Sequence, residues 1–170
     1  MHDMLVKLYD LPDDWSFIGP LGEQEITVRK PIGPEHALLV HWVKEKFNGA
    51  WASETHNALA NRPVSCFIAV KHKKLVGFAC YDATALGYFG PTGVEGKYRG
   101  NGIGRALLLA CLQDMKLKGY GYAVIGGVGP SEYYKKAINA VDIQDSSPGI
   151  WKTWVQDVLG SLPLMNHDEG

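Results

Sequence analysis

The sequence predicts an α/β (α+β) domain, and three stretches carry that prediction. Residues 64–72 and 75–82 are rich in β-branched, aromatic and other apolar residues, and a lysine turn at Lys73-Lys74 joins them as neighbouring strands. From Pro34, Leu38, Leu39, Trp42, Val43 and Phe47 fall on one helical face. Residues 85–94 have the composition of a strand. They run through a glycine cluster into Ile103, Leu107, Ala110, Cys111 and Leu117, spaced close to three and four apart as in a helix.

Taken in order, residues 5–11 alternate apolar and polar and then meet Pro12-Asp13-Asp14, giving a short strand or an extended arm that clamps the domain. Residues 25–29 form the first strand of the main sheet, closed by Lys30-Pro31. Pro34 sits near the first turn of the first helix, where its missing N–H costs nothing. Asn48-Gly49 breaks that helix, and a second runs from Trp51 to Leu59, stopping before Arg62-Pro63. The strand at 86–94 contains Gly90-Pro91, and proline cannot donate to a ladder. It therefore needs either a bulge or edge position, or a neighbour that has already peeled away.

Beyond the central helix, Gly119-Tyr120-Gly121 is a stop, and Tyr122–Ile125 is the fifth strand of the main sheet. Gly126, Gly127, Gly129 and Pro130 loop into a short helix with Tyr133 and Tyr134. Residues 141–143 start a terminal hairpin turning at Ser146-Ser147-Pro148-Gly149. Across residues 150–162, Trp151, Trp154, Val155, Val158 and Leu159 make one helical stripe, which packs on the domain or meets a second subunit in a homodimer. Residues 163–170 read as a tail and 1–24 as an N-terminal arm, so 1–170 is one domain with about six to seven strands and no internal repeat.

The chemistry concentrates in Val94-Glu95-Gly96-Lys97-Tyr98-Arg99-Gly100-Asn101-Gly102-Ile103-Gly104-Arg105-Ala106. A strand-to-helix turn leaves backbone N–H groups unpaired at the positive end of the helix dipole. Gly100, Gly102 and Gly104 let an anion reach them without Cβ atoms in the way, and Arg99 and Arg105 add charge. The physical reading is a diphosphate cradle; the plain alternative is a glycine-rich turn with a capped helix. A dinucleotide fingerprint needs a third glycine where Arg105 stands, and a nucleotide P-loop needs a Gly-Lys-Ser/Thr that the chain lacks.

Composition narrows the classes further. Lys plus Arg number 17 and Asp plus Glu 18, for a net charge of −1, so no basic stripe advertises a nucleic-acid partner. Cys66, Cys80 and Cys111 lie in apolar segments without paired short spacing; reduced core thiols are expected and no metal site. No stretch approaches the roughly 20 apolar residues that span a bilayer. Met1-His2-Asp3-Met4 lacks the basic region and apolar run of a signal peptide, so a cytoplasmic protein is expected.

Arg99, Gly102 and Gly104 in the order Arg-x-x-Gly-x-Gly, with Val94 five residues before the arginine, resemble the acetyl-CoA-binding motif of the GNAT superfamily of N-acyltransferases. The resemblance covers roughly residues 25–152 and is strongest over 90–118. It implies a central, twisted, mixed sheet flanked by helices, whose fourth and fifth strands splay apart to admit the acyl end of acetyl-CoA. It also implies direct acetyl transfer to a primary amine of a small-molecule partner, with no metal. On this resemblance Val94, Arg99, Gly100, Asn101, Gly102, Ile103, Gly104 and Arg105 bind the cofactor. The Val94 N–H contacts the thioester and oxyanion, and Tyr134 protonates the coenzyme thiolate. Here Tyr133-Tyr134 replaces the family's Phe-Tyr, and Ile138-Asn139-Ala140 stands where Gly-Phe is usual, which leaves open which tyrosine faces the sulfur.

No carboxylate or histidine lies between Leu86 and Val94 to serve as the base. Glu95 points to solvent or to Lys97. Asp82, Glu54, His41 and His56 come within range of the acceptor side, and the base stays unassigned. Trp42, Trp51, Tyr81, Tyr88, Trp151 and Trp154 are aromatic enough to line a pocket for a sugar face or ring. Residues 146–151 with 90–94 look similar to GNAT proteins acting on amino sugars. A peptide or protein amine as acceptor and a non-catalytic acyl-CoA-binding regulatory module remain open alternatives.

Overall fold

A computed structural model describes residues 1–155. Seven strands form one sheet: β1 Met4–Lys7, β2 Ile26–Arg29, β3 Cys66–Lys71, β4 Lys74–Tyr81, β5 Tyr88–Val94, β6 Tyr122–Ile125 and β7 Val141–Asp142. Their order is β2-β3-β4-β5-β6-β1-β7. Neighbours are antiparallel except β5 and β6, which run parallel. Short helix α1 (Gly19–Gly22) leads into β2. Helices α2 (His36–Lys46) and α3 (Gly49–Ala60) separate β2 from β3, α4 (Ile103–Leu117) crosses from β5 to β6, and α5 (Ser131–Ile138) follows β6.

Strand alternation sorts the core into two layers. Phe67 and Ala69 of β3 and Ala79 and Tyr81 of β4 pack with α4, whose Ile103, Leu107, Ala110, Cys111 and Met115 are buried. Cys66, Ile68, Phe78 and Cys80 point the other way, onto Leu39 and Val43 of α2 and Ala52, Ala58 and Leu59 of α3. So α4 lies on one face of the sheet and the α2–α3 pair on the other. All three cysteines are buried free thiols, as expected. Asn48 makes the corner between α2 and α3, its side-chain oxygen accepting the Trp51 N–H at 2.8 Å, which starts α3 two residues earlier than the sequence pattern suggests.

Both ends of the chain depart from the expected layout. At the N-terminus the short strand is the reading that holds, but residues 4–7 lie inside the sheet between β6 and β7 and not as an outer clamp, with Met4 and Val6 fully buried. Counting β1, the expected fourth and fifth strands are β5 and β6. The terminal hairpin does not form: β7 pairs with β1 instead, and Ser146 Oγ accepts the Asp3 N–H at 2.7 Å. Where a helical stripe was expected from residue 150, a 3₁₀ helix spans Gly149–Thr153 and carries Trp151, with Trp154 directly after it. Val158, Leu159 and the tail fall outside the described residues. Among the described residues no helix is long and apolar enough to cross a membrane.

Candidate active site

The parallel pair β5–β6 is joined only at Tyr88↔Val124 and Phe89↔Ile125. Beyond Phe89, β5 runs on to Val94 with β4 as its one partner, while β6 ends at Ile125. Pro91 stands just past the last paired residue. Opposite it, the β4–β5 register slips from Tyr81↔Phe89 to Ala79↔Thr92, one extra residue in β5. Both of the arrangements that accommodate a proline in this strand are therefore present: a bulge toward β4 and a neighbour that has separated.

The gap opens a cavity of about 1030 Å³ that reaches both faces of the sheet. Val94 sits at its edge. Glu95 N–H bonds Val76 C=O at 2.9 Å, and in an antiparallel ladder bonded and non-bonded pairs alternate. Val94, opposite Gly77, therefore turns its N–H and C=O away from β4 and into the gap. Its C=O accepts from Arg99 Nε at 3.1 Å, while the N–H faces the opening left by β6.

On the α4 side the wall is cationic. Gly100 and Gly102 have φ of +81° and +83°, the left-handed region that favours glycine, and a Cβ on either would meet open space. The first backbone bond of α4 runs from Ala106 N–H to Gly102 C=O at 3.0 Å. The N–H groups of Gly102, Ile103, Gly104 and Arg105 thus have no helical partner. With Arg99 and Arg105 on the same wall, the donor set fits a diphosphate such as that of acetyl-CoA. Two expected ligands do not line the cavity with their side chains: Ile103 is buried in the core, and the Asn101 amide donates to Tyr98 C=O at 3.2 Å.

Tyr133 and Tyr134 of α5 both line it, their rings edge to face with centroids 5.1 Å apart. Tyr134 is the more buried, and burial, with Tyr133 beside it, pushes its phenol up to about 12. Burial raises Tyr133 as well, partly offset by the charge of Arg105. Among the described residues the Tyr134 hydroxyl has no hydrogen-bond partner. It is a protonated donor at neutral pH.

Phe47 and Trp51 make the α2–α3 side of the wall aromatic, and Tyr88, Trp151 and Trp154 also line the cavity. Phe47 and Trp51 stack tilted at 5.3 Å, and Trp151 and Trp154 at 5.2 Å. Trp42 and Tyr81 do not reach the cavity and are core.

The side chains near the acceptor side separate clearly. Asp82 is spent on the fold: its carboxylate accepts from Gly87 N–H at 2.7 Å, Tyr120 hydroxyl at 2.8 Å and Lys118 at 3.5 Å. Glu95 pairs with Lys46 at 3.0 Å. His41 and His56 line a separate groove with Lys44, formed by α2 and α3. Glu54 alone lines the cavity, its Oε1 accepting from the Thr84 hydroxyl. Burial raises its carboxyl above the usual range, partly offset by that hydrogen bond. The sequence signal for it was weak but present: Trp51 and Glu54, three apart, share one face of α3. Thr84 and the loop from Gly126 to Pro130 also line the cavity, and no local pattern marks them. Among the described residues no three His, Cys, Asp or Glu side chains converge as metal ligands would.

The fold is shared with known structures. The chain superposes with a TM-score of 0.67 on the glucosamine N-acetyltransferase region of a fungal multi-domain β-N-acetylglucosaminidase, at 14% identity over 84% of this chain and 19% of that one. A GCN5-related N-acetyltransferase from Sphaerobacter thermophilus gives 0.62 at 21% identity, over 84% of this chain and 48% of the other. This chain thus spans less than half the length of either structure. A comparison with curated proteins returned no match. The model of the acetyltransferase (GNAT) family matches residues 36–137, more than half of the chain, and covers the splayed strands, the glycine turn and both tyrosines. The chain belongs to the GNAT acetyltransferase family, whose acyl donor is acetyl-CoA.

Proposed function

We propose that the protein is an N-acetyltransferase that moves the acetyl group of acetyl-CoA directly onto a primary amine of a small molecule, with amino sugars as the favoured class. The observation that carries this reading is the gap between β5 and β6, with a cationic cradle on one face of the sheet and an aromatic chamber on the other. Such a passage lets two ligands meet end to end at Val94. When bound, acetyl-CoA supplies an activated thioester whose carbonyl carbon accepts the amine and whose sulfur departs.

The protein's own groups do the rest. The four unpartnered N–H groups of the α4 turn and the two arginines hold the diphosphate. The Val94 N–H, fixed by the β4 ladder, donates to the carbonyl oxygen as negative charge grows there. The Tyr134 hydroxyl gives its proton to the leaving sulfur, and its raised pKa keeps that proton available across the physiological range. Paired tryptophans supply flat apolar surface of the kind that stacks on a sugar ring. The glucosamine N-acetyltransferase region that shares the fold is consistent with this acceptor class.

The test is release of free coenzyme thiol from acetyl-CoA across a panel of amino sugars, polyamines, amino acids and peptides. Turnover with amino sugars at least tenfold above the other classes is expected. Preference for peptides would reassign the acceptor. Tight acetyl-CoA binding without thiol release for any amine would make the chain a binding module instead.

A further inference from the structure

Resting on the acetyltransferase reading, we propose that Glu54 takes the proton of the acceptor amine, and that the acceptor enters as an ammonium ion from the α2–α3 face of the sheet.

The placement of charge carries this. Glu54 is the only carboxylate on the cavity wall among the described residues, and it stands on α3. Arg99 and Arg105 stand at the start of α4, on the opposite face of the sheet. The cavity is thus polarised across the β5–β6 gap. An anionic ligand is favoured from one face and a cationic one from the other. Trp51, one turn before Glu54 on α3, adds an aromatic surface that attracts an alkylammonium.

Glu54 is also held for the task. Its Oε1 accepts from the Thr84 hydroxyl, which fixes the rotamer and leaves Oε2 free for a second partner. The remaining titratable groups on the cavity wall are Tyr88 on β5, Tyr98 and Arg99 in the turn before α4, Arg105 on α4, Tyr133 and Tyr134 on α5, and the amino group at Met1. The α2–α3 corner contributes Phe47 and Asn48, which do not titrate. Burial and the Thr84 hydroxyl set the acidity of Glu54, and they act in opposite directions.

The proton balance closes. Glu54 takes one proton from the ammonium, freeing the nitrogen lone pair to form the new N–C bond as the C–S bond breaks. Tyr134 gives its proton to the sulfur and recovers one from the nitrogen through solvent. Glu54 then returns its own to solvent, so each turnover releases one proton.

Two measurements on the full chain test this. Glu54→Gln keeps the Thr84 hydrogen bond and the shape, and it is expected to lower kcat/KM about a hundredfold or more with acetyl-CoA affinity unchanged. The wild type should show an acidic inflection at the same pH for two amines of different pKa. In Glu54→Gln that inflection should vanish, leaving a rise of about tenfold per pH unit that tracks each amine. Activity within twofold of wild type and an unmoved inflection would overturn the proposal. Separately, carbon-13 NMR of the chain labelled at glutamate Cδ, assigned with Glu54→Gln, should place Glu54 above the ordinary glutamate range. Thr84→Val should move it higher still. An ordinary titration of Glu54 would overturn the proposal without any amine present. If no amine releases thiol, the acetyltransferase reading falls first and this proposal with it.

Discussion

The Phe47 ring lies directly against Gly93: a Cβ at position 93 would stand 2.5 Å from Phe47 Cζ. This contact ties the α2–α3 corner to the residue that precedes Val94, so the position of the Val94 N–H depends on a ring from the other layer.

Gly93→Ala is therefore expected to push β5 away from Phe47. Overpacking of this kind costs about 1–3 kcal/mol, a fall in Tm of roughly 2–10 °C for a chain this size. Thiol release should fall more than acetyl-CoA affinity, because the cradle is anchored elsewhere. Phe47→Leu in the same chain should recover part of both, measured by thermal melting and the thiol assay.

Gly102→Glu tests the cradle. A side chain there would occupy the open space above the α4 turn and bring negative charge to the diphosphate. Binding of acetyl-CoA should weaken at least a hundredfold by calorimetry, in a chain still folded by circular dichroism. Gly102→Ala carries only the left-handed backbone cost of about 1–2 kcal/mol and should keep most of the affinity. Equal affinity in the glutamate variant would remove the cradle assignment.

Tyr134→Phe should lower kcat about a hundredfold or more and leave the acetyl-CoA Kd within twofold. Tyr133→Phe should cost less than tenfold. Because the folded Tyr134 titrates near 12 against an ordinary value of 10, its proton is bound more tightly when folded. The associated stability is fully present below pH 10 and is lost as pH rises toward 12. Denaturant titrations of wild type and Tyr134→Phe should converge over that window. If Tyr133→Phe carries the large kinetic loss, the proton donor is Tyr133.

Glu35 gives the acid counterpart, far from the cavity. Its carboxylate takes two Arg29 contacts at 2.6 and 2.8 Å and the Ile32 N–H at 2.8 Å, and chiefly Arg29 holds it down at about 2. A lowered pKa stabilises the fold above the unfolded value of about 4.5, and that stability is lost as pH falls toward 2. Glu35→Gln should cost about 1–2 kcal/mol at pH 7, and the difference from wild type should shrink steadily between pH 5 and 2.

The shape of the turn from Val94 to Arg105, a strand end passing through left-handed glycines into a helix, was legible because its determinants are local. Glycine spacing, a flanking arginine and a helical stripe all lie within one short stretch of chain. Pro91 was equally readable, since a proline in a strand constrains its neighbours wherever they come from. Glu54 was not separable from Asp82, His41 or His56, because only the tertiary structure shows which acid reaches the gap and which is consumed by Tyr120 and Lys118. Residues 5–11 read equally as a short strand or an arm, because so short a stretch carries too little periodicity to show that its start is an interior strand. Residues 141–143 looked like half of a hairpin because strand partners from the far end of the chain leave no trace nearby.

Met4 pairs with Ile125 and Leu5 with Val141, so the first strand of this sheet in chain order lies between its last two. On a ribosome, Met4 and Val6 would emerge early and stay unpaired until β6 and β7 followed. Contacts between such distant residues carry a large loop-closure cost and form late. The half of the sheet holding β2 to β5 can assemble first, while the β6 side waits for the N-terminus to be recaptured. A chaperone or peptide that occupied residues 4–7 would therefore arrest the protein with the glycine turn before α4 made but the cavity wall next to β6 missing.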